Sequence, residues 1–235
     1  MSDAASRLHR HLPVAVSAEA IALAWARQEA APVGAVVVVD HEISPRGRLG
    51  RLWERPQERT ATLAMVWRPT VPLERSDLAW AAASLGLVRA LDVHIDGAPP
   101  RLWWPDEVVD ESGRVVGQVR AEIQLGPGRI TSAVVTARVD LGVFRAPDRA
   151  DVLALVEVEL ARAAGELDGA PEELTLAWEA RSALIGRRVI AHLLPRGEVR
   201  GTVATVDPQG ALELVSATGL RQRVPILGLD RVSIP

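Results

Sequence analysis

Cysteine is absent from this 235-residue chain, and with it go disulfides, thiolate metal sites and thiol nucleophiles. Acyl transfer through a cysteine-bound intermediate is thereby excluded. Long apolar runs are missing too, and no stretch approaches the length that crosses a bilayer. The opening MSDAASRLHRHLP has neither an apolar h-region nor a cleavage pattern, so retention in the cytoplasm is expected. A large charge of one sign is lacking as well: the net charge of −3 argues against general nucleic-acid affinity. No P-loop, G-x-S-x-G or Ser/His/Asp arrangement appears. The five histidines, His9, His11, His41, His94 and His192, are scattered without metal-ligand spacing.

What is present reads as ordinary globular usage, 48% hydrophobic and 24% charged, with room for one medium and one small domain. Arginine does lysine's work throughout. Ser17 followed by AEAIALAWARQEA reads as an N-capped helix ended by Pro32 and Gly34. Residues 35–39 form a buried strand, 40–56 a long loop, and 60–67 another strand. The alanine-rich stretch 78–91 has helical spacing, followed by a polar turn at Asp96 and Gly97. Gly126, Pro127 and Gly128 mark a hairpin between β-branched runs at 114–123 and 130–141. Helices are expected at 148–167 and 171–182, the second with Pro171 in its first turn. After Leu184 short strands separated by Pro195-Arg196-Gly197, Asp207-Pro208-Gln209-Gly210 and Thr218-Gly219 imply an antiparallel barrel of about five strands. The domain boundary is placed near Ala183, giving an extension over 1–16, a main domain over 17–183 and a barrel over 184–235.

The segment most loaded with chemistry is Arg46-Gly47-Arg48-Leu49-Gly50-Arg51-Leu52-Trp53, which follows the strand AVVVVD. Glycines let backbone N–H groups approach a ligand, and three arginines set charge-assisted donors beside one anion; a solvated Arg/Gly loop is the plainer reading. The string resembles the biotin-binding loop of biotin protein ligases, G-R-G-R-x-G-R-x-W. Trp103-Trp104-Pro105-Asp106-Glu107 resembles that family's K-W-P-N-D, and Gly113-Arg114-Val115-Val116-Gly117 its G-x-K-x-x-G with a shift of one. Ala137-Arg138-Val139-Asp140 resembles the end of its G-I-G-I-N strand, and Gly186-Arg187-Arg188-Val189 opens a segment like its C-terminal barrel. Four motifs and a barrel-like segment in order are more specific than any one.

The resemblance implies an α+β fold of the class II synthetase-like biotin and lipoate ligase type, followed by an SH3-like barrel. It implies biotin and Mg-ATP as substrates, no tightly bound cofactor, a biotinyl-adenylate intermediate, and a lysine of a biotin carboxyl carrier protein or other carrier as acceptor. A sheet-to-sheet homodimer is a further family trait. Members that double as repressors carry a winged helix ahead of this domain; sixteen residues before Ser17 are too few for one, so no DNA contact by that route is expected, nor any membrane partner. Carried over by position, Arg114 stands for the catalytic lysine, and Ser17, Glu42, Arg46, Gly47, Arg48, Gly50, Arg51, Trp53, Trp103, Trp104, Gly117, Arg138 and Asp140 fall at ligand-binding positions.

The departures concentrate at that site. Pro45 replaces the loop's first glycine and removes an N–H. Glu42 replaces a glutamine, and a carboxylate there would repel an anionic ligand. Trp103 replaces a lysine, and Arg114 keeps that family's second lysine charge but not its geometry. Asp106 and Glu107 could ligand magnesium or be a solvated turn. Arg138 replaces a glycine beneath the nucleotide, where it would fill the space adenosine needs or else point outward. Each lost transition-state donor costs about 10²- to 10³-fold in rate, so an adenylating ligase with reduced or lost activity, a non-catalytic partner-binding protein, and a ligase for another carboxylic acid all stay open.

Overall fold

The computed structural model describes residues 8–28, 31–92, 98–144 and 148–235. Along the chain these form β1 (His9–Ala15), α1 (Ala18–Gln28), β2 (Val36–Glu42), β3 (Thr60–Trp67), α2 (Leu78–Leu91), β4 (Arg101–Trp103), β5 (Glu107–Val109), β6 (Val115–Gly126), β7 (Arg129–Asp140), α3 (Arg149–Gly169) and α4 (Pro171–Arg181). Then come β8 (Arg188–Leu193), β9 (Glu198–Val206), β10 (Leu212–Val215), β11 (Arg221–Val224) and β12 (Leu229–Ser233). The first sheet has seven strands in the order β1-β2-β3-β7-β6-β5-β4, and the second has five in the order β11-β10-β9-β8-β12. The architecture is α+β with a separate antiparallel barrel, as the resemblance implied.

Alternation along β6 and β7 explains how the first sheet is covered. Gln118 lies opposite Arg138 and Arg120 opposite Thr136, while Val119 faces Ala137 and Ala121 faces Val135. A period of two therefore makes one face apolar and the other polar. The apolar face is buried under α2, in which every residue except Arg89 is buried. A helix this apolar all round must be enclosed, and α3 and α4 close over its far side. There Trp104 and Trp178 meet edge to face with centroids 5.2 Å apart. The barrel residues Val189, Ala191 and Leu212 belong to the same continuous core, so the two sheets share one interior.

The other face carries a smaller apolar cluster under α1, where Ala18, Ala22 and Trp25 pack on Val37, Val39, Ala64 and Val134. Ser17 caps α1 as expected, its Oγ accepting from the Ala20 N–H at 3.1 Å. One expectation is overturned. Residues 9–15 are not an extension outside the fold but the edge strand β1, paired in parallel with β2 through the α1 crossover. Its side chains are mostly exposed, so it carries no apolar signature that would announce a strand. The loop expected from residue 40 begins later, because β2 runs on to Glu42. The expected turn at Asp96 and Gly97, and His94, lie outside the described residues. Among the described residues no helix is long and apolar enough to cross a membrane.

Candidate functional site

The polar face of the first sheet, beyond the end of α1, presents Thr60 and Thr62 from β3, Thr136, Arg138 and Asp140 from β7, and Gln118, Arg120 and Glu122 from β6. The 43–59 loop folds over this row. A bridge between Arg46 and Leu52 closes the loop tip, with Gly47 N–H donating to Arg51 O at 2.7 Å. Gly50 adopts φ +73°, and Leu49 is held at φ +57°, a costly conformation for an aliphatic residue. Gly47 packs on Gln118: a Cβ there would stand 2.4 Å from the Gln118 amide oxygen, so that side chain would have to move.

At the centre Arg138 and Glu42 form a fork-to-fork pair, Nε to Oε2 at 2.7 Å and Nη2 to Oε1 at 3.1 Å, with the two side chains 1% and 0% exposed. Arg138 also donates to Arg46 O, and Glu42 accepts the Ala18 N–H at the start of α1 at 2.8 Å. The outward-pointing alternative for Arg138 is thus wrong, and the Glu42 carboxylate, expected to repel an anionic ligand, has a guanidinium as its partner. Each departure supplies the other's counter-charge. Beside them Arg120 bonds Glu19, Glu122 and Gly47 O, and burial raises the Glu19 carboxyl's pKa against the pull of Arg120.

The loop arginines are likewise held internally. Arg48 is 5% exposed; it reaches Asp106 at 3.5 Å and donates to Leu229 O and Asp230 O of the barrel, both at 2.5 Å. Arg51 pairs with the Asp230 carboxylate at 2.5 Å. Arg46 donates to Ser44 Oγ and to Gly50 O, and stays exposed. Trp53 is buried, with its Nε1 on Thr60 Oγ1 at 3.0 Å. Asp140 is buried and takes Arg55, Arg59 and the Gly142 N–H.

Other proposed site residues fall elsewhere. Trp104 is 1% exposed within the helix-side core, not at the polar face. Trp103 donates to Val232 O and so spans the seam with the barrel. Gly117 serves packing: a Cβ would lie 3.0 Å from Leu87 and 3.2 Å from Leu91 on α2. Arg114 sits exposed in the β5–β6 turn beside Asp110, outside the buried charge network. Residues missed in the sequence are Glu19 on α1 and Gln118, Arg120, Glu122 and Thr136 on the sheet; the polar period along β6 and β7 was the signal that could have found the last four.

The solvated-turn reading of Asp106 fails, because the residue is 6% exposed and accepts from both Arg48 and Gln118. Burial pushes its carboxyl up against those two partners. Asp106 faces the Arg48 guanidinium, and among the described residues no group of three His, Cys, Asp or Glu is placed to hold a metal. Glu107 is pushed up to about 7, first by burial and then by the neighbouring Asp106. With its folded pKa above the unfolded value, Glu107 contributes stability that is full below about pH 4.5 and lost as pH rises through about 7. Glu107→Gln is therefore expected to leave stability unchanged near pH 4.5 and to raise it by roughly 1–3 kcal/mol at pH 8, read from urea unfolding at both pH values. Parallel pH profiles for the two proteins would mean that water reaches the carboxyl.

Residues 184–226 match the family described as Biotin protein ligase C terminal domain. A biotin–[acetyl-CoA-carboxylase] ligase of Mycobacterium tuberculosis is 30% identical over 194 residues, covering 76% of this chain and 72% of that protein. The bifunctional ligase/repressor BirA of Bacillus subtilis is 24% identical over 215 residues, covering 82% of this chain; the match spans 65% of BirA. Among solved structures, the Aquifex aeolicus biotin protein ligase in complex with biotin and ATP aligns with TM-score 0.74 at 18% identity, over 97% of this chain and 99% of that one. A biotin protein ligase-like protein from Silicibacter sp. aligns with TM-score 0.71 at 15% identity, over 92% and 93%. These two likenesses show the shared fold, and the M. tuberculosis relative shows more: the chain belongs to the biotin protein ligase family.

Proposed function

We propose that this chain is a member of its family in which biotin adenylation is lost or strongly reduced, and that it acts as a non-catalytic protein binding a carrier or other partner. The observation that carries this reading is the buried Glu42–Arg138 pair. By the resemblance, a glutamine and a glycine stand at these positions, one beside the acid and one beneath the nucleotide. Here a guanidinium and a carboxylate fill the space and neutralise each other. A second support is the fate of the loop cations: Arg48 and Arg51 are already paired with Asp106 and Asp230. Third, the chain contains no lysine, so no ammonium is present to stabilise the α-phosphate. With several positioned donors missing at about 10²- to 10³-fold each, little rate acceleration remains.

The test is biotin-dependent release of pyrophosphate from Mg-ATP by the purified protein, followed by transfer to a biotin carboxyl carrier domain, the acceptor class that the resemblance implies. Neither product is expected above background. Adenylate formation with transfer would instead establish a divergent ligase. One observation favours a second reading, a ligase for a different carboxylic acid: Arg46 and Arg51 remain exposed on the loop. That reading requires pyrophosphate release with another acid, such as lipoate or octanoate, where biotin gives none.

A further inference from the structure

β3 carries Thr60 at the candidate site and Trp67 at its other end, about 23 Å away at roughly 3.3 Å per residue. A cavity of about 270 Å³ lies at that far end, between the chain leaving β3, the turn ahead of β2 and the last turns of α3. Trp67 and Leu167, 2% and 0% exposed, give it an apolar interior. The Trp67 Nε1–H is buried and has no hydrogen-bond partner among the described residues. An indole N–H in that condition marks a wall that the protein's own groups do not complete.

Two polar latches hold the frame of this cavity. Arg68 donates from Nη1 to Thr131 O at 2.8 Å and from Nη2 to Ala31 O at 2.9 Å, tying β7 to the turn ahead of β2. Asp168 accepts the Thr70 N–H on Oδ1 at 2.7 Å, tying the end of α3 to the chain that follows β3. Both side chains line the cavity without pairing with each other. Arg68 bonds only neutral carbonyls, and among the described residues nothing bonds Asp168 Oδ2. Two opposite charges, unpaired within the protein on the wall of one apolar cavity, are complementary to a ligand that carries both signs and an apolar body. The volume, just below the roughly 300–1,000 Å³ of sites for drug-sized ligands, suits a smaller molecule.

We infer that this cavity binds a free α-amino acid with an apolar side chain, the side chain seated on Trp67 and Leu167, the carboxylate facing Arg68 and the ammonium facing Asp168 Oδ2. The assignment does not depend on whether adenylation survives, because the cavity shares no residue with the buried charge network beneath the loop.

The probe is L-leucine, titrated into the isotope-labelled full chain while the Trp67 indole resonance, assigned with Trp67→Phe, is followed by NMR. Saturable movement of that resonance is expected. Isocaproate, which lacks the ammonium, and isoamylamine, which lacks the carboxylate, should each bind at least about tenfold more weakly. Asp168→Asn keeps the Oδ1 acceptor for Thr70 and removes the charge, so it should weaken leucine at least about tenfold and leave isocaproate unchanged. Gly165→Leu sets a side chain on the cavity wall and should abolish binding; a Cβ there meets nothing within 4 Å, and leucine is a better helix former than glycine, so the fold is kept. Absence of a saturable shift with leucine, or equal affinity for leucine and its two analogues, overturns the proposal. So does an Asp168→Asn variant that binds leucine as the parent does, or that loses leucine and isocaproate alike.

Discussion

Replacing Glu42 with alanine is expected to cost about 3–5 kcal/mol in urea unfolding, and Arg138→Ala a similar amount. Either change leaves the partner's charge buried at 1% exposure or less. Glu42→Ala also removes the acceptor of the Ala18 N–H at the start of α1, and Arg138→Ala the donor to Arg46 O in the loop. Replacing both by the family's residues, Glu42→Gln with Arg138→Gly, should cost less than either single truncation, because no charge is then left alone. On the proposed reading the double variant also reopens the space beneath the loop, so biotin binding by calorimetry should rise from undetectable to measurable. Single costs below about 1 kcal/mol would mean that the pair is hydrated and that it does not block the site.

The second large effect is expected at the seam between the sheets. Gly210, in the β9–β10 turn, has φ +90°, and a Cβ there would lie 2.5 Å from the Asp77 carbonyl carbon and the Leu78 amide nitrogen. Gly210→Ala therefore adds a collision with the backbone at the start of α2 to the left-handed strain, and about 3 kcal/mol or more of destabilisation is expected. Gly219→Ala is the control: its φ is +82° but its Cβ would meet nothing within 4 Å, so only about 1 kcal/mol of backbone strain applies. A similar melting temperature for the two variants would refute the close seam. Shifting this seam should also disturb Arg48 and Arg51, since their acceptors Leu229 O and Asp230 lie on the barrel. Limited proteolysis of the 46–53 loop would then accelerate in Gly210→Ala and not in Gly219→Ala.

Much of the scaffold was legible from local chemistry. The β-branched run at 60–67, the alanine-rich helix at 78–91, the glycine-rich hairpin turn and the proline at the start of α4 all act within a few residues, and the elements formed there. The edge strand β1 was not legible, because its pairing comes from β2 across an intervening helix and its outward side chains carry no apolar pattern. The site was read in part. The loop's arginines and glycines were visible as a motif, but Gly117 and Trp104, matched by position, serve helix packing instead.

The sequence by itself determined the family resemblance, the two-part α+β and barrel organisation, the absence of thiol chemistry, and which positions depart from the family's motifs. Only the tertiary structure decided what those departures do. Glu42 and Arg138 are 96 residues apart along the chain and read separately as two defects; brought within 2.7 Å in a buried setting, they become one ion pair. Asp230 and Arg51, 179 residues apart, likewise become a latch between loop and barrel. Charge on an isolated residue is a local property, whereas its pairing and desolvation depend on which distant segments the fold packs against it.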